Sequence, residues 1–132
     1  MNYGHFNDNK NLFLIHMSWG FHAMLNCSKC VPSFIRSSTR IKTFSAALVH
    51  KIDMVAYGEP QIVMFGTGNK KGYTLIQLIE TSNIAGHFVE ETDDLYLDVF
   101  SCKKFHPKDV EEIVYEYFDP MSIKSNFFVR QA

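Results

Sequence analysis

Residues 72–102 read GYTLIQLIETSNIAGHFVEETDDLYLDVFSC and contain three apolar runs separated by short polar connections. In the first run, Leu75 and Ile79 alternate with Ile76 and Leu78, so an extended chain would be apolar on nearly both faces, as in an inner strand of a sheet. The next two runs, AGHFVEE and DLYLDVFSC, flank the polar turn TDD, which is the pattern of a β-hairpin. We therefore expect three consecutive strands in this stretch.

Patterns on both sides of this stretch predict two helices. Upstream, Ile41, Phe44, Leu48 and Ile52 recur every three or four residues, which predicts an amphipathic helix over residues 37–51. Downstream, residues 106–118 read HPKDVEEIVYEYF, with a proline where a helix begins and acidic residues in the first turns. Both helices have one apolar side that can pack on a sheet.

The rest of the chain supplies the remaining strands. The apolar run at residues 11–21 predicts a first strand, and residues 23–33 predict a connection. Residues 54–66 predict a strand that is interrupted by a turn or bulge at the tripeptide GEP, and residues 125–132 predict a last edge strand. The order β-α-β-β-β-β-α-β predicts an α+β two-layer sandwich, a mainly antiparallel sheet with two helices on one face.

The composition fits one globular domain over residues 1–132, with 46% hydrophobic and 20% charged residues. Thirteen basic and fourteen acidic residues, without strong segregation, give no charge pattern that would attract a nucleic acid or an anionic membrane. The apolar runs are far shorter than the roughly 20 residues of a membrane helix, and the polar N-terminus does not resemble a signal peptide. We expect a cytoplasmic protein with no nucleic-acid or membrane partner, whose three cysteines are free thiols.

Three side chains with reactive groups, Ser82, His87 and Cys102, lie on the predicted hairpin. Each has an ordinary explanation when it is taken alone: a turn serine, a solvent-facing histidine and a buried inert thiol. Glu91, close to other acidic residues, likewise fits a solvated acidic turn. Only their spacing as a set indicates chemistry.

That spacing resembles the small prokaryotic S-adenosylmethionine decarboxylases, which are pyruvoyl-dependent enzymes. Their signature is approximately Glu-Ser-His-x-x-x-His-Thr-Trp-Pro-Glu, followed after a short turn by Asp-(Val/Leu)-Phe-(Thr/Ser)-Cys. In one ungapped register, Ser82 falls on the self-cleavage serine, His87 on the second histidine and Glu91 on the glutamate. The segment DVFSC, residues 98–102, falls on the closing part of the signature.

The resemblance implies a role for each of these residues. Ser82 would attack the carbonyl of Thr81, and His87 would remove the Ser82 α-proton, so that the chain is cleaved between Thr81 and Ser82. Ser82 would become a pyruvoyl cofactor that forms a Schiff base with the substrate amine, and Cys102 would be the acid that reprotonates the product. The implied activity is a carboxy-lyase reaction in polyamine (spermidine) biosynthesis.

Further residues and partners follow from the same resemblance. Thr74 falls on a processing serine and keeps its hydroxyl, and Gly72 falls on a glycine of the family. Phe65, on a phenylalanine position, and Glu91 would contact the substrate. The small members of the family complete their active sites across a dimer contact, so the implied assembly is a homodimer with a small-molecule substrate, S-adenosylmethionine or an amino acid.

The sequence departs from the family pattern at several positions near the site. Thr81 stands where the family has Glu, and Asn83 stands where it has His. Gly66 and Gly68 replace a His and a Phe, the latter of which stacks on the adenine of the substrate. Because the self-cleavage residues are better preserved than the substrate site, two alternatives stay open: a decarboxylase of another amino acid such as arginine or ornithine, and a non-catalytic homologue that stays uncleaved.

A zinc site is a competing interpretation of the cysteines. Cys27 and Cys30 have the two-residue gap of half a zinc site, and Cys102 with His106 would complete four ligands. A core of this size needs no metal for stability. We therefore expect no metal.

Overall fold

The computed structural model describes residues 18–132. Six strands form one antiparallel sheet: β1 Gly20–Ser28, β2 Gln61–Phe65, β3 Gly72–Ile79, β4 Ser82–Val89, β5 Asp94–Ser101 and β6 Ser122–Arg130. Their order across the sheet is β2-β3-β4-β5-β1-β6, so the predicted inner strand β3 and the predicted edge strand β6 are both confirmed. The α+β two-layer sandwich is confirmed as well.

Three helices accompany the sheet: α1 Pro32–Ile35, α2 Ser38–Lys51 and α3 Pro107–Phe118. The two long helices are those that the sequence predicts, whereas the single turn α1 is additional. The Ser37 hydroxyl caps α2 by accepting a hydrogen bond from the Arg40 amide at 3.1 Å. Aromatic rings join the two layers, since the ring centroid of Phe118 in α3 lies 4.8 Å from that of Phe44 in α2, edge to face, and 5.1 Å from that of Phe88 in β4, in a tilted contact.

The first described strand lies later in the chain than the sequence predicts. Residues 23–28, which we expected in a connection, belong to β1, and residues 11–17 of the predicted strand lie outside the described residues. The inward side chains of β1 are Phe21, Ala23, Leu25 and Cys27, and all four are buried. Their alternation with outward side chains is a strand pattern, but Asn26, Ser28 and Pro32 also favour turns, which led to the wrong prediction. Pairing with β5 on one side and β6 on the other stabilises these residues as a strand despite their preference for a turn.

The two faces of the sheet differ in their covering. One face packs against the helices through buried side chains such as Leu75, Ile84 and Leu97. The other face presents exposed large apolar side chains, among them Met24, Val63, Leu78 and Tyr96. Within residues 18–132 no helix covers this open face, and apolar patches of this kind mark interaction surfaces.

Candidate active site

The predicted cleavage bond lies at a tight turn between β3 and β4. Ile79, the last residue of β3, pairs with Ser82, the first residue of β4, so Glu80 and Thr81 form a two-residue hairpin turn. Ser82 has a φ of 157°, at the margin of extended backbone, and is partly buried. The Thr81–Ser82 peptide bond is therefore held where a turn enters a strand.

Cys102 lies directly beside this peptide bond. Ser82 pairs with Ser101 at the end of β5, and the next residue in the chain is Cys102. The backbone N–H of Cys102 donates a hydrogen bond of 2.9 Å to the carbonyl oxygen of Thr81. A donor aimed at a carbonyl stabilises negative charge that develops on its oxygen, so this contact suits attack on the Thr81 carbonyl carbon.

The side chain of Thr81 points away from solvent into a small polar cluster. The Ser101 hydroxyl lies 2.8 Å from Thr81 Oγ1, and Thr81 Oγ1 lies 3.3 Å from Met54 Sδ. The Lys103 amide donates to Ser101 Oγ at 2.9 Å. Ser101 and Met54 are not among the predicted site residues, although a serine on the buried side of an otherwise apolar strand indicates a hydrogen-bonding role.

The three cysteines differ in accessibility. Cys102 is exposed, whereas Cys27 and Cys30 are both buried. Burial raises the pKa of the Cys30 thiol to about 12, with Asp94 and Asp93 adding to the effect. Burial likewise raises the pKa of Cys27 well above that of an ordinary thiol. Cys102 is thus the thiol that reagents and substrates can reach.

Thr74 and His87 form a second pair of predicted site residues. They face each other across the β3–β4 ladder, with Thr74 Oγ1 3.4 Å from His87 Nδ1. His87 is exposed on the open face of the sheet. The hydroxyl can therefore orient the imidazole ring of His87.

His87 does not reach Ser82 of the same chain. The two residues are five positions apart on β4, which corresponds to about 16 Å at the rise of a strand. Strand alternation also places them on opposite faces, with His87 on the open face and Ser82 on the side that faces the helices. Within one chain, the proposed base and the proposed nucleophile are separate.

Phe65 and Glu91 lie at the same end of the sheet as His87. Phe65 is the exposed last residue of β2 and pairs with Gly72, two residues before Thr74. Glu91 is exposed in the turn between β4 and β5. The predicted residues thus form two groups at opposite ends of the sheet: one contains Thr81, Ser82 and Cys102, and the other contains Phe65, Thr74, His87 and Glu91.

Gly72 is required by the close approach of β3 to β4 at the His87 end. A Cβ atom at this position would lie 1.6 Å from the carbonyl oxygen of Phe88, so only glycine fits without moving the backbone. This contact fixes the strand that carries Thr74 against the strand that carries His87.

The strand register rules out the zinc site that we considered. Cys27 pairs with Leu95 at the start of β5, whereas Cys102 follows the end of that strand, about 23 Å away at the rise of a strand. The four proposed ligands therefore cannot meet around one ion. Among residues 18–132, no group of three or more His, Cys, Asp or Glu side chains could hold a metal.

A polar contact network on the open face was not predicted. His22 Nε2 lies 3.1 Å from Asp98 Oδ1, and the Arg130 guanidinium lies 3.3 Å from His22 Nδ1. Because a guanidinium only donates, Nδ1 accepts and the Nε2 proton points to Asp98. Phe100, which pairs with Asn83 beside the cleavage site, packs against the imidazole of His22 and the guanidinium of Arg130.

Comparisons with known proteins bear on the family and the fold. A family model described as S-adenosylmethionine decarboxylase matches residues 21–131. The crystal structure of the adenosylmethionine decarboxylase from Aquifex aeolicus VF5 superposes with a TM-score of 0.73 at 17% identity, over 87% of this chain and 92% of that one. No curated protein matches the sequence. In the described part of the chain, no helix is long and apolar enough to cross a membrane. The match over residues 21–131 confirms the resemblance of the motifs: the chain belongs to the S-adenosylmethionine decarboxylase family.

Proposed function

We propose that this protein is the proenzyme of a pyruvoyl-dependent decarboxylase that cleaves itself between Thr81 and Ser82. The family is pyruvoyl-dependent in general. A pyruvoyl group supplies a ketone that binds the amine of the substrate and takes up the electrons released with carbon dioxide. The observation that carries the proposal is the 2.9 Å hydrogen bond from the Cys102 amide to the Thr81 carbonyl, next to the hydroxyl of Ser82.

In the proposed reaction, the hydroxyl oxygen of Ser82 attacks the carbonyl carbon of Thr81 and the peptide C–N bond breaks. The hydroxyl proton passes to the nitrogen, which leaves an ester and a free amine. A base then removes the α-proton of Ser82 and the Cβ–O bond breaks, so that Thr81 leaves as a carboxylate. Tautomerisation and hydrolysis, which consumes water and releases ammonia, leave a pyruvoyl group. The Cys102 amide is positioned for the first step.

The base for the second step is His87 of a second chain in our proposal. The 16 Å separation within one strand excludes His87 of the same chain without refolding of β4. A homodimer in which a two-fold axis reverses the strand direction would bring the His87 end of one sheet to the Ser82 end of the other. The open sheet face supports this assembly, because its exposed apolar side chains need a partner and a second copy would cover them.

Cys102 is the proposed proton donor to the product. It is exposed and adjoins Ser82 through the β4–β5 ladder, so a substrate at residue 82 would be close to its thiol. The S–H group of an accessible thiol can act as a general acid. Asp98 of β5, the nearest carboxyl along the chain before Cys102, lies 3.1 Å from His22 Nε2.

The proposed substrate is S-adenosylmethionine, whose decarboxylated product donates aminopropyl groups in spermidine synthesis. Phe65 and Glu91 are the proposed substrate contacts, and both are exposed at the His87 end of the sheet. One observation favours a different small amino acid such as arginine or ornithine. Gly68, where the family has its stacking Phe, lies in a 3₁₀ turn and has no side chain to stack on adenine.

A second candidate is a non-catalytic homologue that stays uncleaved and binds an active partner. It is favoured by Asn83 and Thr81, which replace the residues that flank the cleavage serine in the family. This candidate predicts a folded chain of full length under all conditions.

Intact-mass analysis after long incubation tests the proposal. Cleavage should give an N-terminal piece of about 9 kDa and a C-terminal piece of about 6 kDa that lacks a normal serine N-terminus, since the cofactor is made from the chain. Ser82→Ala should abolish cleavage. His87→Ala should accumulate the ester, which hydroxylamine would cut. Wild-type protein that stays at full length, also with added S-adenosylmethionine, would refute the decarboxylase and favour the non-catalytic homologue.

A further inference from the structure

We infer that the buried hydroxyls of Ser101 and Thr81 form a positioning pair that holds the Thr81 carbonyl against the Cys102 amide. The inference rests on the proposed self-cleavage, because that reaction gives the pair its purpose. It adds two positioning residues, Ser101 and Met54, to the cleavage site, and it gives the threonine at position 81 a role of its own.

The hydrogen bonds around Thr81 form a chain with one direction. The Lys103 amide can only donate, so Ser101 Oγ accepts from it at 2.9 Å. Ser101 Oγ lies 2.8 Å from Thr81 Oγ1 and 3.5 Å from Met54 Sδ, so its one proton goes to the nearer acceptor, Thr81. Thr81 then donates its proton to Met54 Sδ at 3.3 Å. Met54 Sδ can only accept, so it ends the chain. Each hydroxyl donates once and accepts once.

The burial of Ser101 indicates that this series of hydrogen bonds is a specific feature of the fold and not an incidental surface contact. Ser101 is 0% exposed, at the end of a strand whose other inward residues are Leu95, Leu97 and Val99. An unbonded hydroxyl in such surroundings costs free energy, so the site is stable only with its partners in place. The same holds for the inward hydroxyl of Thr81, which is partly buried.

This series of hydrogen bonds attaches the turn at residues 80–81 to the helix layer. Met54 follows α2, and its amide donates to the carbonyl of Val49 in that helix at 3.0 Å. The neighbouring Val55 carbonyl accepts from the Glu80 amide at 2.9 Å. The turn is thus fixed from both sides, and a fixed Thr81 side chain limits rotation of the peptide plane that carries its carbonyl.

Two substitutions remove the hydrogen bonds of the pair with little change in the volume of the side chains, so that a positioning role can be distinguished from a packing role. Thr81→Val keeps the branched shape of the side chain and removes its hydroxyl, and Ser101→Ala removes the donor. Ser45→Ala is the matched control, because Ser45 is also 0% exposed and its hydroxyl bonds to Gln77 Oε1 at 3.4 Å, away from the turn. Ser101→Thr keeps a hydroxyl, so the Cys102 amide should stay as protected as in the protein with Ser101.

Amide hydrogen exchange of Cys102, measured by NMR in a Ser82→Ala background that stays intact, is the deciding experiment. We expect Thr81→Val and Ser101→Ala each to accelerate exchange of the Cys102 amide by about tenfold, and Ser45→Ala and Ser101→Thr to leave it within about twofold. Exchange of the Val99 amide serves as the internal reference for global stability. Unchanged Cys102 exchange in both variants would overturn the inference. If Ser101→Ala does not fold, Thr81→Val decides alone.

The rate of ester formation provides a second readout when Ser82 is present. Thr81→Val and Ser101→Ala should each slow the formation of the ester, measured by its capture with hydroxylamine, about tenfold. Ser101→Thr should react near the wild-type rate. If wild-type protein never forms an ester, the proposed function fails, but the exchange of the Cys102 amide still tests the positioning pair. The two failures are therefore distinguishable.

Discussion

Ser82 and His87 lie on the same strand, five residues apart and on opposite faces of the sheet. Neither side-chain rotation nor a small loop movement removes a separation of about 16 Å along a hydrogen-bonded strand. β5 pairs with β4 along its whole length and β3 pairs with it from Ser82 to His87, so the strand cannot shift its register alone. One chain thus contains both groups of the proposed self-cleavage, but not in contact.

Mixing two inactive variants tests whether the groups meet between chains. Ser82→Ala lacks the nucleophile and His87→Ala lacks the base, so neither should complete cleavage alone. In a mixed dimer, the intact Ser82 of one chain would meet the intact His87 of the other. After joint refolding at equal amounts, we expect cleavage of up to about half of the His87→Ala chains, measured by intact mass. Absence of cleavage in the mixture, with active wild type, would contradict assembly in trans.

A charge on the open sheet face should disrupt the dimer. Met24 is 40% exposed in the middle of β1 on that face, and Met24→Lys would bury an ammonium in the proposed contact. The carboxylate opposite it in the ladder, Asp98, already pairs with His22. Met121→Lys is the matched control, since Met121 is 77% exposed in the connection before β6. Sedimentation at micromolar concentration should show a dimer for wild type and for Met121→Lys, and a monomer for Met24→Lys. A wild-type monomer would count against a complete active site.

The sequence predicts most of the fold because its patterns are periodic. The apolar residues of α2 and α3 and the alternation in β3 to β5 fix their elements without tertiary information. Residues 23–28 were assigned wrongly because Asn26, Ser28 and Pro32 favour turns, and only pairing with two neighbouring strands overrides that preference.

The motif residues of the candidate site could be predicted from spacing, but their grouping could not. Whether Ser82 meets His87 depends on which strand faces each residue belongs to and on a second chain. The link from Ser101 through Thr81 to Met54 joins residues that are up to 47 positions apart, so no local pattern could reveal it. The register of β5 against β4 determines that contact.

The buried thiols should make the fold less stable at alkaline pH. The pKa of Cys30 rises from 9.0 to about 12 on folding because of burial, and the pKa of Cys27 rises in the same direction. The unfolded chain therefore releases these protons first, so the free energy of unfolding should be full below pH 9 and fall between pH 9 and 12. The slope is at most about 1.4 kcal/mol per pH unit for each thiol. Urea unfolding measures it, and Cys27→Ala with Cys30→Ala should flatten the curve; an equal slope in that variant would contradict the assignment.

Labelling with a thiol reagent should distinguish Cys102 from the other two cysteines. Cys102 is exposed, whereas Cys27 and Cys30 combine burial with a raised pKa, and thiol reactivity requires both access and thiolate. At pH 8 a thiol with a pKa of about 12 is ionised to about one part in ten thousand, so Cys30 should stay unlabelled in the folded protein. Mass spectrometry should therefore find one label per folded chain, on Cys102, and three labels in urea. Cys102→Ser should abolish labelling of the folded protein, while Cys30→Ala should leave it unchanged. The reverse pattern, with Cys102 protected and Cys27 and Cys30 labelled, would mean that the Cys102 thiol cannot reach a substrate and would remove the support for its role as the proton donor.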